Sequence, residues 1–256
     1  MPNKYHIYIP SKGRSDNCLT AILLKKEGIP FTIMVEPQDY DDYRRYYPKK
    51  NLLVLKKNSG GLAYARNSAL EASSETGAEA HWQMDDDIKG FFKRKEGKNK
   101  KISAARAIKK LEKIFDSYTN VAVIGHRHSA FAFSYSDKYS YNHSPSTCFL
   151  VKNGLGIKWR KNTIEDADYG LQVLTSGWTT LVTNRYIFSA VPHNKQKGGL
   201  SATDSLNDPI FKHYEKLAST WPLYYSVRTL ETGHKKLVNH RAWSKFKHRP
   251  TKKEEA

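Results

Sequence analysis

Three consecutive carboxylates, Asp85, Asp86 and Asp87, close the apolar stretch Trp82-Gln83-Met84. A strand that ends this way puts negative charge at the carboxyl edge of a sheet, where open α/β sheets take their ligands. Two such groups can hold a hard divalent cation, and that cation can neutralise a diphosphate. Asp87 is expected to touch the metal, with Asp85 directed to a ribose or a metal-bound water. Asp86, the third member of this donor-binding corner, is expected to turn back and brace the loop.

Three other groups could share in such chemistry. Pro10, Ser11, Lys12, Gly13 and Arg14 form a turn after an apolar run. Gly13 permits close approach of a nucleotide, and Lys12 or Arg14 can meet its phosphates. Gly61 opens an alanine-rich helix start where backbone N–H groups favour anions; Arg66 adds a charged fork and Asn67 an amide. Glu165, Asp166 and Asp168 stand at another helix start, where the helix dipole favours carboxylates. A general base there could deprotonate an acceptor hydroxyl, with Asp166 the first choice and Asp168 the reserve.

These residues need a frame that brings them together. Strands are predicted at residues 5–9, 31–35, 51–55 and 81–84, with helices between them: one from a Ser15 cap through Leu19, Ile22 and Leu23, a short tyrosine-rich one at 39–47, and one from Gly61 to about Ser74. Strands alternating with helices imply a mainly parallel sheet, so the loops after these strands should converge on one side. Residues 92–101 lack periodicity and read as a loop. A helix follows over 102–118 with Ala104, Ile108, Leu111 and Phe115 on its apolar face. Strands are expected at 121–125, 147–151 and 181–188, with a helix from Ile164. The aromatic run 131–141 reads as alternating strand. His126 and His128 lack the partners of a zinc site. After Leu200 the pattern weakens, and a basic tail is expected over 236–256. The predicted organisation is one catalytic domain over 1–235, its donor half about 1–92 and its acceptor half about 93–235.

The 256 residues carry a formal net charge of +18, and it is concentrated. Residues 93–113 hold ten basic and two acidic side chains, and residues 235–253 hold eight basic and none acidic. Such segments point to a polyanion, nucleic acid first. Lys93, Arg94, Lys95, Lys98, Lys100 and Lys101 are the residues expected to track phosphates. No apolar run reaches eighteen residues, and the N-terminal residues lack the apolar core of a signal peptide, so no membrane partner is expected. Cys18 and Cys148 make no disulfide framework, and a reducing cytoplasm is the expected setting.

Taken in order over residues 5–190, the motifs resemble the family-two-like GT-A glycosyltransferases. The 10–14 turn follows the first strand, Glu36 the second, and Gly61 to Asn67, the aspartates and Glu165-Asp166 come after. A closer resemblance, carried by Ile9-Pro10-Ser11-Lys12-Gly13-Arg14, Ala65-Arg66-Asn67 and Asp85-Asp86-Asp87-Ile88, is to the TET/JBP-associated glycosyltransferases, many encoded by bacteriophages. That resemblance implies a GT-A fold, a Rossmann-like mixed sheet flanked by helices, here with a basic C-terminal extension. It implies transfer of a sugar from a UDP-sugar to a hydroxymethylated pyrimidine in DNA, 5-hydroxymethylcytosine before 5-hydroxymethyluracil, in the cytoplasm of a phage host. Carried over residue by residue, Asp87 with Asp85 would bind Mn2+ or Mg2+, Arg66 and Glu36 would contact the nucleotide, and Asp166 would be the base of an inverting transfer. His193 would be a late metal ligand. The acceptor base must be flipped out or single-stranded to be reached. Rival readings are a glycosyltransferase acting on a protein or cell-surface glycan, and a nucleic-acid-binding protein without catalysis.

Overall fold

The computed structural model describes residues 3–192 and 209–253. Its first part alternates: β1 (Ile7–Pro10), α1 (Leu19–Lys26), β2 (Thr32–Val35), α2 (Tyr40–Arg44), β3 (Leu52–Val54), α3 (Leu62–Glu75) and β4 (Ala80–Met84). Next come β5 (Ile88–Lys95), β6 (Lys98–Ile102), α4 (Ala104–Asp116), β7 (Val121–His128), β8 (Tyr139–Tyr141), β9 (Cys148–Lys152), α5 (Glu165–Thr175) and β10 (Thr179–Ala190). The last described part holds α6 (Pro209–Thr220), β11 (Tyr225–Thr229) and β12 (Lys235–Asn239).

One ten-stranded sheet runs in the order β3-β2-β1-β4-β9-β7-β10-β5-β6, with β8 beside β10. The first four strands of that order are parallel. β9 then enters antiparallel between β4 and β7, and β7 pairs parallel with β10. The expected Rossmann-like mixed sheet flanked by helices is therefore present, with its parallel run in the donor half.

Alternation along the strands splits the core between two faces. Ile7 and Ile9 join Leu24 of α1 and Ile108, Leu111 and Phe115 of α4. Tyr8, between them in sequence, packs with Ala65 and Ala69 of α3 on the other face. Val173 and Tyr169 of α5 cover Val123, Phe149 and Val151. Small residues on α3 bring the helix axis close to the sheet, which lowers Arg66 into the interior.

Three expectations are corrected. The helix from Ser15 begins at Leu19 and buries Thr20, Ala21 and Leu24, while Ile22 is exposed. Residues 92–101 are not a loop: β5 and β6 pair antiparallel, with Lys93 opposite Lys100 and Arg94 opposite Asn99. Glu96 and Gly97 make the turn with φ of 51° and 75°, the left-handed pair that matches strand twist. The lysines leave the β6 edge charged, which keeps it from pairing with other chains. The supposed basic tail is folded too. β11 and β12 form a hairpin, and the segment after it packs on α5, with Ala242 and Tyr225 against Leu171. Its end lies along residues 117–120 through backbone hydrogen bonds from Thr119 to Thr251 and from Lys253 to Ser117.

Candidate active site

Arg66 is fully buried and gathers the acidic motifs. Its Nη2 lies 3.1 Å from Asp85 Oδ1, 3.6 Å from Asp166 Oδ1 and 3.9 Å from Glu165 Oε1. Its Nη1 donates to Gln83 Oε1 at 3.3 Å, and the guanidinium sits 5.0 Å from the centre of the Phe149 ring. Burial alone would favour the neutral form, but the three carboxylates outweigh it and hold Arg66 more basic than an ordinary arginine. One side chain thus ties the end of β4 to the start of α5, joining the two halves of the sheet.

The three aspartates divide their work. Asp86 is buried and faces inward: Ser11 Oγ donates to its Oδ2 at 2.6 Å, and Arg14 Nη1 donates to its Oδ1. Tyr43 Oη lies 2.6 Å from Ser11 Oγ and closes this network. Asp86 therefore braces the corner and, contrary to its place among the donor-binding residues, does not face a donor. Ser11 and Arg14, predicted to face the donor, are engaged inside the brace. Asp85 turns to Arg66, and its backbone oxygen accepts from Thr20 Oγ1, which also accepts the Ile88 N–H at 3.0 Å. Asp87 has a buried Oδ1 with no hydrogen-bond partner. Burial first, then the charges of Asp85 and Asp86, push its carboxyl up to about 7.

A carboxylate oxygen without a donor, crowded by two other acids, is the environment a cation relieves. Among the described residues no three His, Cys, Asp or Glu side chains cluster into a complete cage. A cation here would take only part of its coordination from the protein, as oxygen-bound divalent ions that keep water and phosphate ligands do. Asp87, with Asp85 beside it, would hold that ion. His193 lies outside the described residues.

Asp166 resembles Asp87 in its isolation. Its Oδ1 has no hydrogen-bond partner, and Arg66 is within ion-pair range. Burial raises its carboxyl well above the usual range; Arg66 opposes this, while Glu165 and Asp85 reinforce it. Asp168, the reserve choice of base, is placed differently. Arg160 Nε donates to it at 2.8 Å, Gln172 Nε2 at 2.9 Å and Trp221 Nε1 at 2.7 Å, and Arg160 Nη2 completes the set. It ties α5 to the preceding loop and to the C-terminal unit.

The remaining donor-side residues are placed as follows. Pro10 is buried in β1, opposite Met34. Lys12 keeps an exposed side chain and pairs with Glu36 at 2.8 Å. Glu36 also accepts the Gly60 N–H at 3.2 Å and the Gln38 amide at 2.9 Å. Burial would raise its carboxyl, but Lys12 and the backbone N–H groups of Ser59 and Gly60 hold it below the ordinary value. Gly61 caps α3 with φ 78°, a conformation that favours glycine. Asn67 is corrected: its amide donates to Trp159 O at 2.8 Å and accepts from Trp159 N at 2.9 Å, so it clamps the 159 backbone. The hairpin cations begin with Lys93, six strand positions beyond Asp87, about 20 Å at the rise of a strand. Lys93, Arg94, Lys95, Lys98, Lys100 and Lys101 thus flank the corner and do not line it.

Several partners carried no sequence signal. Gln83 and Thr20 look like ordinary strand and helix residues until the fold sets them against Arg66 and Asp85. Ser144 reaches Asp166 by donating to its backbone oxygen at 2.8 Å. Gly125 lets that loop lie on β7, since a Cβ there would meet Pro145 Cβ at 2.6 Å.

The sequence pattern of TET-Associated Glycosyltransferases matches residues 5–199, which include every motif of this corner. The chain belongs to the TET-Associated Glycosyltransferase family. That family is one of glycosyltransferases, named for its association with TET. No curated protein matches the sequence. A solved structure described as mannose-1-phosphate geranyltransferase from Thermus thermophilus is similar at 12% identity over 70% of this chain, with a TM-score of 0.35. The match spans 57% of that protein's chain. No helix among the described residues is long and apolar enough to cross a membrane.

Proposed function

We propose that this TET-Associated Glycosyltransferase moves a sugar from a UDP-sugar to the hydroxyl of a 5-hydroxymethylpyrimidine in DNA, with 5-hydroxymethylcytosine the first acceptor to test. One observation supports this above the others. Arg66 joins the strand-end carboxylates to Asp166, so a donor corner and a raised carboxyl stand in one site. The reading goes beyond family membership in naming the donor, the metal and the acceptor.

The acceptor hydroxyl attacks the anomeric carbon. The new C–O bond forms as the bond from that carbon to the diphosphate breaks, and UDP departs with the electron pair. Asp166 takes the hydroxyl proton. Its carboxyl, raised by burial, accepts a proton more readily than an exposed aspartate would. Attack on the face opposite the leaving group gives inversion in one step. Asp87 and Asp85 would hold a divalent cation that neutralises the diphosphate. Arg66 keeps the strand-end and helix-start carboxylates in register, and the Asp86 network fixes the turn on which they stand.

Incubating hydroxymethylated DNA with a panel of UDP-sugars and Mn2+, followed by mass spectrometry of the nucleosides, tests the proposal. A sugar-bearing pyrimidine nucleoside is expected. Transfer to protein or glycan but never to DNA would remove the acceptor assignment.

A further inference from the structure

A further buried arginine marks a surface away from the donor corner. Arg127, in β7, is about 8% exposed. Its Nε donates to Asn184 Oδ1 at 2.9 Å and its Nη2 to Ser140 Oγ at 2.8 Å. The guanidinium lies 3.9 Å from the centre of the Tyr135 ring. No carboxylate pairs with it among the described residues, and burial lowers its basicity without an opposing acid. A cation held out of water without an anion is costly. Its positive potential is felt at the surface directly above.

That surface is two grooves that meet at Tyr135. One, about 860 Å³, lies between residues 135–142 and the C-terminal segment 243–249, with Lys138, Lys247 and Arg249 on its walls. The other, about 660 Å³, lies between residues 133–137 and the basic hairpin, with Lys93, Arg94, Lys95 and Arg185 on its walls. Seven cations face two acids, Glu96 and Asp137. The cations of the first groove are interleaved with rings: Tyr139, Tyr141, Trp243 and Phe246 line it, and Arg249 stands 5.9 Å from the Tyr141 ring centre. The wall built by residues 243–249 lies beyond the family's matched residues. It is held in place by Asn142, whose amide donates to Phe246 O at 3.1 Å and His248 O at 3.0 Å. Ser144, two residues on and so within about 7 Å along the chain, is the residue bonded to the Asp166 backbone. Ser144 therefore links the segment that lines the groove to the start of α5, which carries Asp166.

We propose that these grooves hold one unpaired strand of nucleic acid, which leads the acceptor base to Asp166. Cations track its phosphates, and the rings accept its bases by stacking, the combination used by single-strand binders. A duplex could use the cations but not the rings, because its bases face inward. The final clause of the proposal rests on the transfer reading; the binding itself does not.

The test is fluorescence anisotropy with an unmodified, labelled twenty-residue oligothymidine and no sugar nucleotide present. The variant Lys138→Gln/Lys247→Gln/Arg249→Gln changes three groove-wall side chains. We expect it to bind at least tenfold more weakly at about 0.1 M salt, and its slope of log K against log salt to be shallower by about 2, at roughly 0.7 per phosphate contact for a single strand. Wild-type affinity and slope in that variant, or tighter binding of a blunt duplex than of the single strand, would overturn the proposal. Binding of this strand, together with no sugar transfer to hydroxymethylated single-stranded DNA supplied with UDP-sugars and Mn2+, would refute the transfer reading and leave the groove in place.

Discussion

Arg66 and Arg127 are both out of water, but the first is surrounded by carboxylates and the second by amides, hydroxyls and a ring. Around Arg66 stand Asp85, Asp166 and Glu165, with Asp87 on the same corner; one guanidinium cannot balance them. Around Arg127 no acid compensates the charge. The donor corner is short of positive charge and the groove is short of negative charge. Each deficit names the class of ligand that would relieve it, a divalent cation with a diphosphate at one and a phosphodiester strand at the other. Positive net charge alone does not separate these two needs, because it sums over both regions.

The comparison can be broken most sharply at Asp87. Asp87→Ala should abolish Mn2+-dependent turnover while the far-ultraviolet circular dichroism stays as in wild type; a rate near wild type removes the metal assignment. The arginines themselves come next. Arg66→Met strands three carboxylates in a buried site and should destabilise the protein by roughly 3–5 kcal/mol. Arg127→Met replaces an unpaired cation with an apolar chain, and Asn184 Nδ2 already donates to Ser140 Oγ at 3.1 Å, so its cost should stay below about 1.5 kcal/mol. Urea unfolding of both variants measures the contrast, and equal losses would show that the two sites do not differ as described. Asp166→Asn should leave UDP binding unchanged by calorimetry and slow transfer about a hundredfold or more, as loss of a general base does. An unchanged rate moves the base elsewhere.

Acid probes both regions through a histidine each. His81 hydrogen bonds Gln83, which Arg66 holds, and burial lowers its pKa to about 4. His126, adjacent to Arg127 in β7, is likewise lowered by burial to about 4. Both are neutral in the fold and take up protons on unfolding below the ordinary value near 6.5. Their stabilisation is complete above pH 6.5 and is lost as pH falls toward 4, at up to about 1.4 kcal/mol per pH unit for each residue. Urea midpoints between pH 7 and 4 measure the slope, and His126→Phe should make it shallower, with His81 and His143, which burial also lowers to about 4, supplying much of the rest. A flat profile would mean that neither histidine is buried neutral.

Much of the donor half was legible because its local signals agree. β1, β2 and β4 are apolar runs ended by Pro10, Glu36 and Asp85, and α4 shows its period in Ala104, Ile108, Leu111 and Phe115. The hairpin was not legible. Its strands are mostly lysine, with no alternation to read, and their pairing is set by the Glu96-Gly97 turn. Nor was the C-terminal unit, whose few apolar residues find a core only against Leu171 of α5. In the site, the turn of Asp86 back into the loop could be read from its position after a strand, but Arg66, expected at the nucleotide, lies fully buried among Asp85, Asp166 and Glu165. Asn67 and Asp168 could not, since their partners, the Trp159 backbone and the side chains of Arg160, Gln172 and Trp221, come from loops that only tertiary structure brings near.

The Arg66 junction also bears on how the chain is made. Asp166 is a hundred residues further along than Arg66. A nascent chain that ends before α5 would enclose the guanidinium with Asp85 as its acidic neighbour there and without the other two. The nucleotide half therefore reaches its final packing only when α5 arrives. The two halves should then melt together in one cooperative transition, and neither is expected to stand as an autonomous fragment.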